Sequence, residues 1–457
     1  LSELNELIEL AEDESINEEE YQDEVNKLVK ETTQLLSSGK ASGIDESTRD
    51  NVGNKRVYAE RIPRRDEIGH LIHFLLAQLR WQHGLLVGTF EEFDAEASKH
   101  NRRACDDEES VPLQVGDIKG MEKLMEQFFA RHAKGDKWVP FHAVLGAHER
   151  YIMERIWSLP HLNTKQKYAL SCGFSGSRWP PLYDHAILCF FSSPSTSVSS
   201  SATLSDEALL LFENPVAAFR RGGDIHKRFL EYRASGAKLH TTCFSPRPVP
   251  KGASGDEYTF YILERTRTFF MMGLQIFDEL EVLKGSGGWE AIDAAMQKTK
   301  WVGPTISKML LVSTHFGLPN LHLLDEGIEV GIGAQEAFKL LHPGIQPAKN
   351  YDMLPERRDI LVALFEHVKS LSAGEVVGKE ISSSSVTSFS PSVEPRLQPM
   401  IKWCALKARE KYCGSIPPEC FETELSILNF QVNLCEWRKF RNNVDKHRQG
   451  KRGMGSL

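Results

Sequence analysis

The stretch Trp301–Leu341, WVGPTISKMLLVSTHFGLPNLHLLDEGIEVGIGAQEAFKLL, decides how the chain is read. It opens on a Gly-Pro turn. Gly303 lets the backbone turn tightly, and Pro304 suits the first turn of the helix that TISKMLLVSTHFG predicts. Gly317 is placed to end that helix as a C′ residue. A short apolar run, LPNLHLL, then leads to Asp325, and the Gly-x-Gly at 331–333 opens another helix. Exposed N–H groups at a helix start can take a phosphate, and two helices joined in this way can hold a nucleic-acid backbone without reading its bases. Gly303, Thr305 and Lys308 are therefore candidate phosphate contacts. Asp325, after a mostly apolar run, is expected at the mouth of a core, where burial would raise its pKa and make it a base. The same position also suits a cap of a turn or of the next helix.

Working outward, most of the chain repeats its apolar residues at helical spacing and little of it alternates with period two. The expected fold is mainly α, with long inserted loops and no internal repeat. Residues 1–36 read as an acidic helical arm and 37–56 as a linker. A helical N-terminal region follows over 57–200, with strong signals at RDEIGHLIHFLLAQLRWQHGLLVGTF, at 117–133 and at 145–157. Residues 171–191 carry Gly, Ser and a Pro pair and read as a turn or loop. The region 201–381 contains the Gly303 turn and Asp325. Residues 192–205 and 382–399 are low in complexity and expected to be irregular. Residues 400–457 form C-terminal helices and a basic tail.

The chain has 457 residues, 41% of them hydrophobic and 26% charged, as in a soluble globular protein of about two domains. Its net charge of −8 is uneven: residues 1–36 contribute −10, so the remainder is close to +2. Such an arm suggests a protein partner of its own. The end, WRKFRNNVDKHRQGKR, is basic, and Arg438, Lys439 and Arg441 are candidate phosphate contacts or a solvated face. Arg265 and Arg267, in LERTRTFF, carry the same two readings. No run of about 18 apolar residues occurs, so no membrane span is expected. The acidic opening, LSELNELIELAEDE, argues against a secretory signal there. Eight cysteines without a C-x-x-C pair point to free thiols in a reducing, intracellular compartment. Their spacings and those of His70 and His73 match no metal site, and 331–333 lacks the strand that a dinucleotide site needs. No metal and no cofactor are expected.

Two motifs carry a resemblance. The order of turn glycine, apolar helix, FGLP, apolar run and Asp resembles the hairpin-to-aspartate segment of helix-hairpin-helix DNA glycosylases. The likeness covers about 40 residues. The hairpin lacks that family's second glycine, Thr305 stands where lyase members carry lysine, with Lys308 one turn on, and no iron–sulfur cysteine run follows. More specifically, VGIGAQEAFKLL, Val330 to Leu341, resembles the V-G-x-G-A signature of the α-glutamyl/putrescinyl thymine pyrophosphorylases, the amino-acid:DNA transferases related to those glycosylases. ETELSILNFQVNLCEWRKFRN resembles their closing helix, with Leu434, Cys435, Lys439 and Phe440 in its pattern and Glu436 inside it. The resemblance implies a glycosylase-like helical body, a nuclear location in a eukaryote, and DNA and an amine as partners. It implies that an amino acid or polyamine displaces pyrophosphate from a hydroxymethyl-pyrimidine in DNA. Asp325 would accept the proton, and Gly331 and Gly333 would lie at the DNA. A monofunctional glycosylase using water and a non-enzymatic binder of modified DNA are the alternatives.

Overall fold

The computed structural model describes residues 65–105, 118–133, 139–191, 205–240, 254–342, 345, 356–372 and 397–448. All of them belong to one of the chain's two units, Arg61–Leu457. The acidic arm, the 37–56 linker, 192–204, 382–396 and the last nine residues lie outside the described residues, as do the expectations attached to them. Among the described residues every regular element is helical.

The N-terminal region gives α1 (Arg65–Val87), α2 (Glu91–Cys105) and α3 (Ile118–Ala133). Next come α4 (Ala147–Tyr151), continued by a π-helical turn over Ile152–Trp157, then α5 (Thr164–Phe174) and α6 (Pro180–Ala186). Three helices follow: α7 (Asp206–Glu213), α8 (Pro215–Ala218) and α9 (Asp224–Ala234). The central series is α10 (Gly255–Phe277), α11 (Leu280–Gln297), α12 (Pro304–Gly317) and α13 (Ile332–Leu341). The series α14 (Arg357–Ser372), α15 (Leu397–Lys411) and α16 (Ile427–Arg448) completes the described chain.

Local chemistry sets many of these boundaries. Capping boxes start α5 and α10: Asn163 with Gln166, and Ser254 with Glu257, each satisfy two otherwise orphan N–H groups. The glycines at 287 and 288 kink α11, with Gly288 at φ 64°. The loop expected over 171–191 is confined mostly to the turn after Phe174, because α5 runs through Phe174 and the Pro pair starts α6 rather than ending a helix. In that turn Arg178 takes a left-handed φ of 51° and is held by Glu149 at 2.8 Å. The irregular segment expected to reach 399 stops earlier, since α15 begins at Leu397, whose side chain is fully buried. Gly317 does not act as a left-handed cap; it is the last residue of α12, and a Cβ there would fall 2.2 Å from the Trp157 ring.

The most extensive helix contact joins α5 and α10. It is a small-residue contact: a Cβ on Gly173 would meet the Phe270 Cβ at 3.2 Å, one on Gly273 the Ala169 Cα at 2.9 Å, and one on Gly176, just past α5, the Thr266 Cα at 2.7 Å. Around it Phe174, Tyr183, Phe219, Phe229 and Phe270 close one apolar core. A second core lies between α1 and α16, where Phe74 stacks on Phe440 at 5.5 Å. No described helix is long and apolar enough to cross a membrane.

A polar seam runs through this second region. Gln82 Nε2 and the His142 Nδ1 lie 2.8 Å apart, Gln82 Oε1 accepts from the His142 amide, and His142 Nε2 faces the Glu422 carbonyl at 3.1 Å. Burial pushes the His142 imidazole down from 6.5 to about 4. A depressed histidine favours the fold above the unfolded value and weakens it as pH falls toward the folded one. Stability should therefore be level above pH 6.5 and drop by roughly 3 kcal/mol between there and about pH 4. Urea titrations at pH 7 and pH 4.5 measure this, and His142→Gln, which cannot titrate, should flatten the pH dependence.

Candidate functional site

Residues from three separate stretches meet where α12, the start of α13 and α16 come together. Lys308 lies one turn into α12. Its Nζ donates to Gln431 Oε1 on α16 at 2.7 Å. Gly331 is the N-cap of α13, and a Cβ on it would stand 3.5 Å from that Nζ. Gly333 presses harder: its Cβ would lie 2.3 Å from Cys435 Sγ and 3.3 Å from the Arg438 guanidinium. Only glycine permits this approach, and the sulfur rests against the first turn of α13, where helix N–H groups are unpaired within the helix.

Lys308 makes no ion pair among the described residues. Part of the residue reaches the surface, but its amine is enclosed, and burial holds it down to about 8 although Cys435 and Glu329 pull it upward. An amine in that range has a substantial neutral fraction near physiological pH. Glu329, behind it, is buried and held by Arg357 and Arg358, each at 2.7 Å. Burial would raise that carboxyl, but the two guanidinium groups keep it below its ordinary value. Asp293 on α11 differs: burial raises its pKa, and Ser307 and Gln297 donate to its two oxygens at 2.5 and 2.6 Å. Asp293, Glu329 and Gln431 were not singled out from the sequence. The available signal for Asp293 was its apolar neighbourhood at helical spacing, between Trp289, Ile292 and Met296, all buried.

Other candidates fall elsewhere. Gly303 and Thr305 are exposed at the start of α12, which leaves its first N–H groups at the surface. Asp325 is not at the mouth of a core. Its side chain is 50% exposed and accepts from or faces His322 Nδ1 at 3.0 Å, itself 71% exposed. Leu323 and Leu324 take the buried positions of that turn, and the next residue is left outside. The basic cluster on α16 is mostly neutralised within the protein. Arg438 pairs with Glu336 at 2.6 Å, Lys439 with Glu436 at 2.5 Å, and buried Arg441 with buried Glu67 at 2.7 Å. Arg441 is therefore a tie between α16 and α1 rather than a phosphate contact. Arg267 pairs with Glu264 on its own helix. Arg265 is buried and has no such partner among the described residues. Comparison of the chain with protein-family models, curated proteins and solved structures finds no match.

The Gly333–Cys435 contact can be measured. Gly333→Ala should cost about 1–3 kcal/mol by overpacking, and Cys435→Ala should recover much of that by removing the sulfur. A double-mutant cycle in chemical denaturation gives the coupling; costs that simply add would mean that α13 shifts freely on α16.

Proposed function

We propose that the chain is a DNA-modifying transferase of the kind its motifs resemble, moving an amine onto an activated thymine methyl carbon with loss of pyrophosphate. The observation that carries this reading is the convergence of Lys308, the Gly331–Gly333 turn and Cys435 on one junction of three helices, although they come from three separate parts of the chain. Chemistry of this class needs a group that can take a proton from an amine near neutral pH and positive groups for a leaving pyrophosphate.

Lys308 is the proton acceptor in this scheme. The amine nitrogen attacks the methylene carbon as the bond from that carbon to the pyrophosphate oxygen breaks. The electron pair of that bond leaves with pyrophosphate, and the proton lost by the amine passes to Lys308 Nζ. Thr305 stands three residues before Lys308, about 5 Å along the helix axis. The exposed helix start there offers N–H donors of the type that meet phosphate oxygens. Asp325 has no part in this step, since its half-exposed carboxylate lies on a surface turn against exposed His322.

The test is mass spectrometry of nucleosides after incubation with DNA carrying pyrophosphorylated hydroxymethyl-thymine and a set of amines. A heavier nucleoside supports the proposal, a released free base favours the glycosylase reading, and unchanged DNA that is nevertheless bound favours the non-enzymatic one. With transfer established, turnover should rise with pH and level off above about 8, as Lys308 becomes neutral. Lys308→Arg, which keeps the charge but cannot accept the proton, should lose roughly 10²–10⁴-fold in turnover. Asp325→Asn should leave turnover near normal; a large loss there, with Lys308→Arg active, would return the base to Asp325.

A further inference from the structure

Arg265 is 5% exposed and sits on α10, and among the described residues no carboxylate and no hydrogen-bond acceptor is paired to it. Its Nε is buried without a partner. Its company is aromatic. The guanidinium lies 5.3 Å from the Phe269 ring centre, and Tyr258, Tyr261 and Arg265 follow one another at helical spacing on the same face. Tyr261 meets Trp301 edge-on at 5.4 Å, and the Lys300 ammonium stands 4.8 Å over that indole. Tyr258 also walls a surface cavity of about 320 Å³, together with Arg233, Lys238 and His240.

An ion buried without a partner opposes folding, and such groups persist where something else makes use of them. Among the described residues no carboxylate pairs with Arg265, and Asp256, earlier on α10, is taken by Arg233 at 3.1 Å. A planar guanidinium set among tyrosines suits an anion with several oxygens, which its fork can bind in two places. The aromatic faces beside it suit a base or a sugar attached to that anion.

We infer that Arg265, with Tyr258 and Tyr261, forms a phosphoryl-anion site on α10, beside the cavity bounded by Arg233, Lys238 and His240. Its ligand is either a nucleic-acid backbone phosphate or a free phosphate or pyrophosphate. The inference does not rest on the transferase reading, because the Lys308 junction contributes nothing to it.

Thermal unfolding of the full chain and of Arg265→Met tests it. Each is melted in inorganic pyrophosphate, in a thymine oligonucleotide and in chloride at matched ionic strength. The native Tm should rise with one or both ligands, as binding to the folded state requires. The Met variant, which removes a buried charge at similar length, should melt no lower than the native chain in chloride and should not respond to either ligand. A rise with pyrophosphate alone assigns the site to a free anion; a rise with the oligonucleotide alone assigns it to backbone phosphate. A native Tm indifferent to both, or a variant that responds equally, overturns the inference. So does a variant that folds but melts well below the native chain, since the guanidinium would then be a packing element. If Arg265→Met does not fold, Arg265→Lys replaces it: affinity reduced roughly 10–100-fold supports the two-point contact, and unchanged affinity overturns it.

Discussion

The close seating of α13 on α16 at Gly333 and Cys435 is the constraint on which the candidate site depends. With no Cβ at 333, the first turn of α13 lies directly against the Cys435 sulfur. That brings the Gly331 turn over the Lys308 amine and sets the amine beside Gln431. The amine is then cut off from water, and desolvation lowers its pKa to about 8. A side chain at 333 would push the helices apart and return Lys308 to solvent. The packing of two helices thus governs the chemistry of a third.

The same seating explains why the basic residues of α16 are not equivalent. Arg438, Lys439 and Arg441 are within four positions of one another, yet each meets a different carboxylate: Glu336 on α13, Glu436 on α16 and Glu67 on α1. The charges of Arg438 and Arg441 serve joints between helices, while Lys439 is spent within α16. Glu329 is held in the same manner by Arg357 and Arg358, and Arg358 also lies 4.3 Å over Trp289. Lys308 and Arg265 differ from these in lacking a carboxylate partner among the described residues. Both are removed from water, and both occur where aromatic or helix-terminal groups could face a ligand.

The remainder of the fold supports these positions from two sides. The glycine contacts between α5 and α10 let α10 lie close to its neighbour, which fixes the face that bears Arg265. The seam of Gln82, His142 and Asn429 ties the start of the second core to α16: Asn429 Oδ1 accepts from the Ala143 amide at 2.9 Å, and Asn433 donates to the Phe141 carbonyl at 3.0 Å. A buried seam of this kind is favourable only when satisfied throughout, so it limits how α16 can be placed.

The sequence by itself determined the helical character of the chain, the start of α12 at Gly303 and Pro304 and the start of α13 at Gly331. These are local matters, set by periodicity, capping chemistry and backbone sterics within a few residues. It also marked Lys308, Gly331, Gly333 and Cys435 through their motifs, but not as neighbours. Only the tertiary structure decided which charges are spent on one another, that Asp325 faces solvent, and that Lys308 and Arg265 are left without carboxylates among the described residues. The reason is distance along the chain. Lys308 meets Gln431 across 123 residues, and Arg441 meets Glu67 across 374. The pKa of a side chain and its freedom to bind depend on what folding brings beside it, and no window of local sequence carries that information.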